Sequence, residues 1–179
     1  ELSRRNAAAA KVSADRATSP QADLFETDFS KANVVTLFLL PSINMKLRDK
    51  ILAMAPGTRI VANTFTMEDW QADQTETVSG DCVSWCTALL WIVPAKADGS
   101  WQLGTNTLTL TQKFQMLEGT LGGAAITDAK MNGAEIAFTT RFFSTCQITG
   151  HTLYSGSSRS PSTGRSSLMS PFLSLSRET

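Results

Sequence analysis

Apolar residues come in solid blocks over the first half of this chain and in short alternating runs after Lys96, so two kinds of β structure are expected. Residues 34–40, VVTLFLL, are rich in β-branched and aromatic side chains and stop at Pro41, the pattern of a strand buried on both faces. Ile43, Leu47, Ile51, Leu52 and Met54 then recur at helical spacing with Lys46, Arg48, Asp49 and Lys50 between them. That spacing predicts an amphipathic helix, with Ser42 as its N-cap and Pro56-Gly57 ending it. Residues 58–65 form a second β-rich run, and strand, helix, strand in this space is a βαβ unit with a right-handed crossover. A third buried strand is expected within 83–95, after a polar, acidic surface loop running from Trp70 to Cys82.

Residues 1–14 contain a run of four alanines and are expected to be helical, although nothing caps the start. Residues 15–21 are polar and broken by Pro20, so any strand there is weak. The acidic loop Ala22-Asp23-Leu24-Phe25-Glu26 then leads to Phe29 and the first strong strand. Beyond Lys96, β-rich runs are punctuated by Asp98-Gly99, Gly122-Gly123, Asn132-Gly133 and Gly150, which predicts an antiparallel meander. Residues 155–179 are dominated by serine with Arg, Pro and Gly; they hold too little apolar surface to order themselves and read as a disordered tail.

Composition narrows the partners. Sixteen basic residues balance sixteen acidic ones, so no global field draws nucleic acid or an anionic membrane. Trp70, Trp85, Trp91 and Trp101 have no basic stripe between them, which favours core and boundary packing over a base-stacking surface. No apolar window is long enough for a membrane helix, and no export signal lies within these residues, which leaves the compartment open between cytoplasm and export. Cys82, Cys86 and Cys146 with the single His151 are too few for a Cys/His zinc site, and no metal is expected. The odd cysteine count favours inert thiols, with a Cys82 to Cys86 bridge left open. His151, in a turn-like context without a carboxylate or cysteine around it, reads as a surface histidine.

The order of ADLFETDFS, NVVTLFLLP, helix and PGTRIVANTFTMEDW resembles the middle of a class I S-adenosylmethionine-dependent methyltransferase, in a bacterial branch similar to protein lysine methyltransferases. The resemblance implies a Rossmann-like sheet of strand order 3-2-1-4-5-7-6, S-adenosylmethionine as cofactor and direct methyl transfer without a metal. By the same resemblance Asp23 would accept a hydrogen bond from the adenine amino group and Leu24 would pack on its ring. Leu40, Pro41 and Ser42 would stand at the end of the fourth strand, where donor and acceptor meet; the first two bear on the cofactor and Ser42 on the substrate. No residue is singled out as catalytic.

Against that pattern, the chain has no Gly-x-Gly and no acid placed to hold a ribose. The fold expected is therefore α/β: an incomplete Rossmann-like methyltransferase sheet over 1–96, truncated at its amino terminus, a β-rich extension over 97–154 and the tail over 155–179. Loss of the two strands beside the fourth leaves residues 34–40 with an unpaired apolar edge. The chain alone is then expected to be inactive and to need a complementing amino-terminal segment or second chain. The methyl acceptor, protein or small molecule, is not legible. The alternative is a non-catalytic, degenerate domain whose β-rich half binds or stabilises.

Overall fold

The computed structural model describes residues 1–141, 146–149 and 175–177. Strands dominate a mixed α/β architecture, arranged as two sheets. No helix among the described residues is long and apolar enough to cross a membrane.

The predicted βαβ unit forms. Strand β1 (Val34–Leu37) lies parallel to β2 (Arg59–Asn63), with helix α2 (Pro41–Leu52) as the crossover. Pro41 occupies the first turn of α2 and Leu40, not Ser42, is the N-cap. A proline with its φ already fixed and no N–H to satisfy starts a helix better than serine one residue later, so Ser42 sits inside the helix and caps nothing. Leu47 and Ile51 of α2, with Met54 just beyond, pack on Ile60 and Ala62 of β2 and on Leu37. The main chain turns after α2 at Gly57, whose φ of +88° only glycine adopts without strain and whose N–H donates to the Val93 carbonyl at 2.8 Å.

Strand β4 (Thr87–Ile92) is the third apolar strand and runs antiparallel to β2. Between them the polar segment expected as loop carries a further strand, β3 (Gln74–Thr77), paired antiparallel with β4. All four of its residues are exposed, which is why no apolar alternation marked it. The first sheet therefore reads β1-β2-β4-β3, with β4 alone reversed.

β1 is the edge of this sheet, and it is not buried on both faces: Val34, Phe38 and Leu40 around it are exposed, and Leu37 alone within it is fully covered. An apolar run signals a central strand only when something pairs with each side. Helix α1 (Leu2–Ala9) is shorter than the 1–14 expected and buries none of its residues. No strand forms over residues 15–21.

The meander follows as β5 (Gly99–Leu103), β6 (Asn106–Lys113), β7 (Met116–Leu121), β8 (Ala124–Asn132), β9 (Glu135–Thr140) and β10 (Cys146–Thr149), each antiparallel to the next. Its own core centres on Trp101, Leu108, Leu110, Met131, Ile136 and Phe138. Part of the serine-rich tail departs from the expected disorder: β11 (Leu175–Arg177) pairs antiparallel with β5. The rest of residues 155–179, and His151, lie outside the described residues.

Trp70 and Gln115 join the sheets. The Trp70 indole N–H donates to Gln115 Oε1 at 2.9 Å, Gln115 Nε2 donates to the Gln71 carbonyl at 2.8 Å, and Trp70 stacks on Phe114. Lys130 pairs with Asp73 at 2.9 Å across the same junction. A cleft of about 350 Å³ opens there, lined by Asp73, Ile92, Lys130 and Glu135 among others. Ile92 pairs with Arg59, the first residue of β2, so this cleft lies at the amino edge of the parallel strands.

Candidate functional site at the carboxyl edge of the first sheet

In a sheet with parallel strands, ligands are met where the strands end, because loops and helix starts collect there. β1 ends at Leu37 and β2 at Asn63, and their register pairs Leu37 with Ala62, so both deliver the following residues to one edge. Since β4 is reversed, its first residues arrive at the same edge, with Ala88 opposite Asn63.

Three aromatic rings converge there. Phe38 follows β1, Phe65 follows β2 and Trp85 precedes β4; their ring centroids are 5.7 Å apart for Phe38 and Phe65, 5.5 Å for Phe38 and Trp85, and 5.4 Å for Phe65 and Trp85. Phe38 is 58% and Trp85 53% exposed. Of the core and boundary positions expected for the tryptophans, Trp70, Trp91 and Trp101 take core ones, and Trp85 lies at the surface, packed against Phe38 and Phe65.

The loop holding Trp85 is tied at several points. Cys82 and Cys86 form a disulfide, so these two cysteines are not the inert thiols that the odd count favoured. Asn63 Nδ2 donates to the Trp85 carbonyl at 2.9 Å, and the Val78 N–H donates to the Cys86 carbonyl at 2.8 Å. Trp85 itself has a φ of +60°, a left-handed conformation that a bulky residue adopts at a cost of about 1–2 kcal/mol and keeps only when its surroundings hold it. On the other side, fully buried Asn44 of α2 spans the turn after β2. Its Nδ2 donates to the Phe65 and Thr66 carbonyls at 3.4 and 3.3 Å, while its Oδ1 finds no partner.

Leu40, Pro41 and Ser42 stand at this edge: Leu40 is exposed, and Pro41 and Ser42 open α2. Asp23 and Leu24 are exposed too, but their hydrogen bonds stay local. Asp23 Oδ1 accepts the Phe25 N–H at 2.7 Å, and the Asp23 carbonyl accepts the Thr27 N–H. The turn is moored to α2 by Lys50, which donates to the Phe25 carbonyl at 2.9 Å. Lys50 stands nine residues along the helix from Pro41, roughly 13 Å at the α-helical rise. No hydrogen bond joins Asp23 to residues 40–42 among the described residues. Of the aromatic trio, the sequence singled out Trp85, and only as a packing residue; Phe38 was merely part of the strand-end run, and Phe65 carried no signal.

Residues 1–74 match the family described as the ANTKMT methyltransferase domain. Over these residues the chain is similar to S-adenosylmethionine-dependent methyltransferases. A protein-lysine N-methyltransferase of Saccharolobus islandicus (strain REY15A) is 41% identical over 56 residues, 31% of this chain and 35% of that protein. The solved structure of an RNA methyltransferase from Salinibacter ruber, in complex with S-adenosyl-L-homocysteine, shares 43% identity over 52% of this chain and 58% of that one, with a TM-score of 0.46. The chain thus spans about a third of the curated methyltransferase and less than two thirds of the solved one.

Proposed function

We propose that this chain takes part in methyl transfer from S-adenosylmethionine, and that the carboxyl edge of β1 and β2 is the acceptor side of the site. The observation that carries this is the sheet itself. The order β1-β2-β4-β3 with only β4 reversed repeats the 4-5-7-6 half of the class I methyltransferase order, in which the seventh strand is the reversed one.

Bound S-adenosylmethionine supplies an electrophilic methyl group on sulfur. The residues present fit part of that molecule. Leu40 and Phe38 offer exposed apolar surface at the strand end, and Asp23 has a carboxylate oxygen outside its own turn. The adenine role proposed for Asp23 and Leu24 requires their turn to reach the edge from its mooring on α2. Neither a run of glycine N–H groups nor an acid for ribose hydroxyls stands at this edge among the described residues. The cofactor fit is therefore incomplete, and no chemical step is assigned to this chain by itself. Its contribution is positioning: α2 and Asn44 fix the strand ends, and the aromatic surface excludes water from the reacting groups.

A second polypeptide segment carrying a Gly-rich strand-loop and an acid-ended strand would pair with the open side of β1 and complete the sheet. Mixing such a segment with the chain and following transfer of a labelled methyl group from S-adenosylmethionine to a lysine-containing protein tests the proposal. Transfer that requires both components supports it, whereas none from a mixture that has formed a stable complex favours a non-catalytic domain.

A further inference from the structure

We propose that the Cys82–Cys86 disulfide is a redox latch: closed, it holds Trp85 on Phe38 and Phe65, and opened by a dithiol reductant it releases that ring from the aromatic platform at the carboxyl edge. The latch itself stands on the geometry of the loop. Only its effect on access to a methyl-transfer site rests on the reading above.

The bond is reachable, and little else holds the arm it ties down. Residues 74–85 are all exposed, Val83 to 96%, and of the two cysteines Cys82 is exposed while Cys86 is half-buried. The Cys86 end is anchored at the foot of β4. Its carbonyl accepts the Val78 N–H at 2.8 Å, and the carbonyl of Thr87 beside it accepts the Thr64 N–H at 2.7 Å. Among the described residues no hydrogen bond ties residues 79–84 to either sheet. The disulfide, joining cysteines four positions apart, is what fastens that arm to β4.

Trp85 lies within the ring of residues that this bond closes. Its φ of +60° disfavours the observed conformation, while the hydrogen bond from Asn63 Nδ2 to its carbonyl and the contacts of its ring with Phe38 and Phe65 favour it. These opposing contributions are of similar size, so the crosslink decides between them by denying residues 82–86 their other conformations. With the bond open, the Trp85 backbone is free to leave the left-handed region, and the ring then parts from Phe38 and Phe65.

Opening is thiol–disulfide exchange. A thiolate of the dithiol attacks the sulfur of Cys82, the more accessible cysteine, and forms a mixed disulfide as Cys86 leaves as a thiolate; the second thiol of the reductant then displaces Cys82. The dithiol ends as a disulfide, its two protons end on Cys82 and Cys86, and the protein has gained two electrons. Exposed disulfides are the ones that exchange readily, so the latch is shut in an oxidising compartment and open in a reducing one.

Fluorine NMR of the full chain carrying 5-fluorotryptophan, before and after dithiothreitol and without denaturant, tests this. Trp85→Phe assigns the Trp85 resonance, and alkylation with peptide mapping establishes that Cys82 and Cys86 are both freed and distinguishes them from Cys146. On reduction the Trp85 resonance is expected to move toward that of free 5-fluorotryptophan and its H2O/D2O isotope shift roughly to double, since the residue starts 53% exposed. The resonances of buried Trp70, Trp91 and Trp101 should stay in place. A chain carrying Cys82→Ser and Cys86→Ser should give the reduced spectrum without dithiothreitol and ignore its addition. An unchanged isotope shift in a chain shown to be reduced, or resistance of the folded chain to excess dithiothreitol, overturns the proposal. So does displacement of all four resonances together, which would make the bond a staple of the whole fold. S-adenosylhomocysteine binding, measured with the complementing segment, separates the two readings. Release of Trp85 without cofactor binding sinks the methyl-transfer reading alone, and cofactor binding with an unmoved Trp85 sinks the latch alone.

Discussion

The Trp70 indole N–H meets Gln115 Oε1 at 2.9 Å, though the two stand 45 positions apart in the chain, and both side chains are buried. This contact carries the last residues matching the methyltransferase family into the packing of the second sheet, while Trp91 Nε1, donating to the Trp70 carbonyl at 2.8 Å, ties the same residue to β4 of the first. A buried amide shared between sheets makes their stabilities interdependent. Gln115→Leu leaves the Trp70 N–H and the Gln71 carbonyl without their partner, and an unsatisfied buried group costs about 1–3 kcal/mol. Urea unfolding is expected to show a loss of that size, with both sheets melting in one transition; a neutral outcome would mean the sheets do not depend on this contact.

The cysteine pair gives a covalent prediction. Alkylation of the unfolded, unreduced chain followed by peptide mass spectrometry should leave Cys82 and Cys86 unmodified, and both should react after reduction. Ready alkylation of either without reductant contradicts the clipped loop, and with it the support for Trp85.

Arg48 holds Asp69 through a charged hydrogen bond, with Lys113 at 3.5 Å, and this holds the Asp69 carboxyl below the usual aspartate range. A carboxylate with a lowered folded pKa stabilises the fold at pH values above its unfolded pKa, near 4, and loses that contribution as pH falls through the folded value. The stability difference between the parent chain and Asp69→Asn is thus expected at pH 7 and should fade on acidification below the usual aspartate range. The pair is exposed, so the difference is small. Denaturation curves at several pH values check it; a difference that grows on acidification would reverse the sign.

The open side of β1 makes a prediction about association. A flat apolar edge recruits other strands, and a lysine on it discourages them. Val34→Lys, at an exposed position, should reduce concentration-dependent light scattering with a stability change of about 0.5 kcal/mol or less. Unchanged scattering would show that association uses another surface.

The legibility of this chain follows from which residues are buried together. The β1-α2-β2 unit stood out because Leu37, Leu47, Ile51 and Ile60 share one core and impose strand and helix periodicities on the sequence. Gly122 and Gly123, with φ of +56° and +82°, similarly announced the β7 to β8 hairpin. β3 was silent because a solvated edge strand needs no apolar residue, and the β1 run misled because hydrophobicity records what a strand can pair with, not whether the partner is there. The aromatic platform was invisible for a different reason. Phe38, Phe65 and Trp85 come from three separate segments, and only the reversal of β4 brings the third to the first two.

Calorimetric titration with S-adenosylhomocysteine tests the central claim, that the first sheet is the acceptor-side part of a methyltransferase site, most directly. The account predicts no binding below roughly 1 mM to the chain alone and binding at least about tenfold tighter once a Gly-rich strand-loop segment is seated on β1. Submillimolar binding to the chain alone, or no gain from a segment that demonstrably pairs with β1, would contradict it.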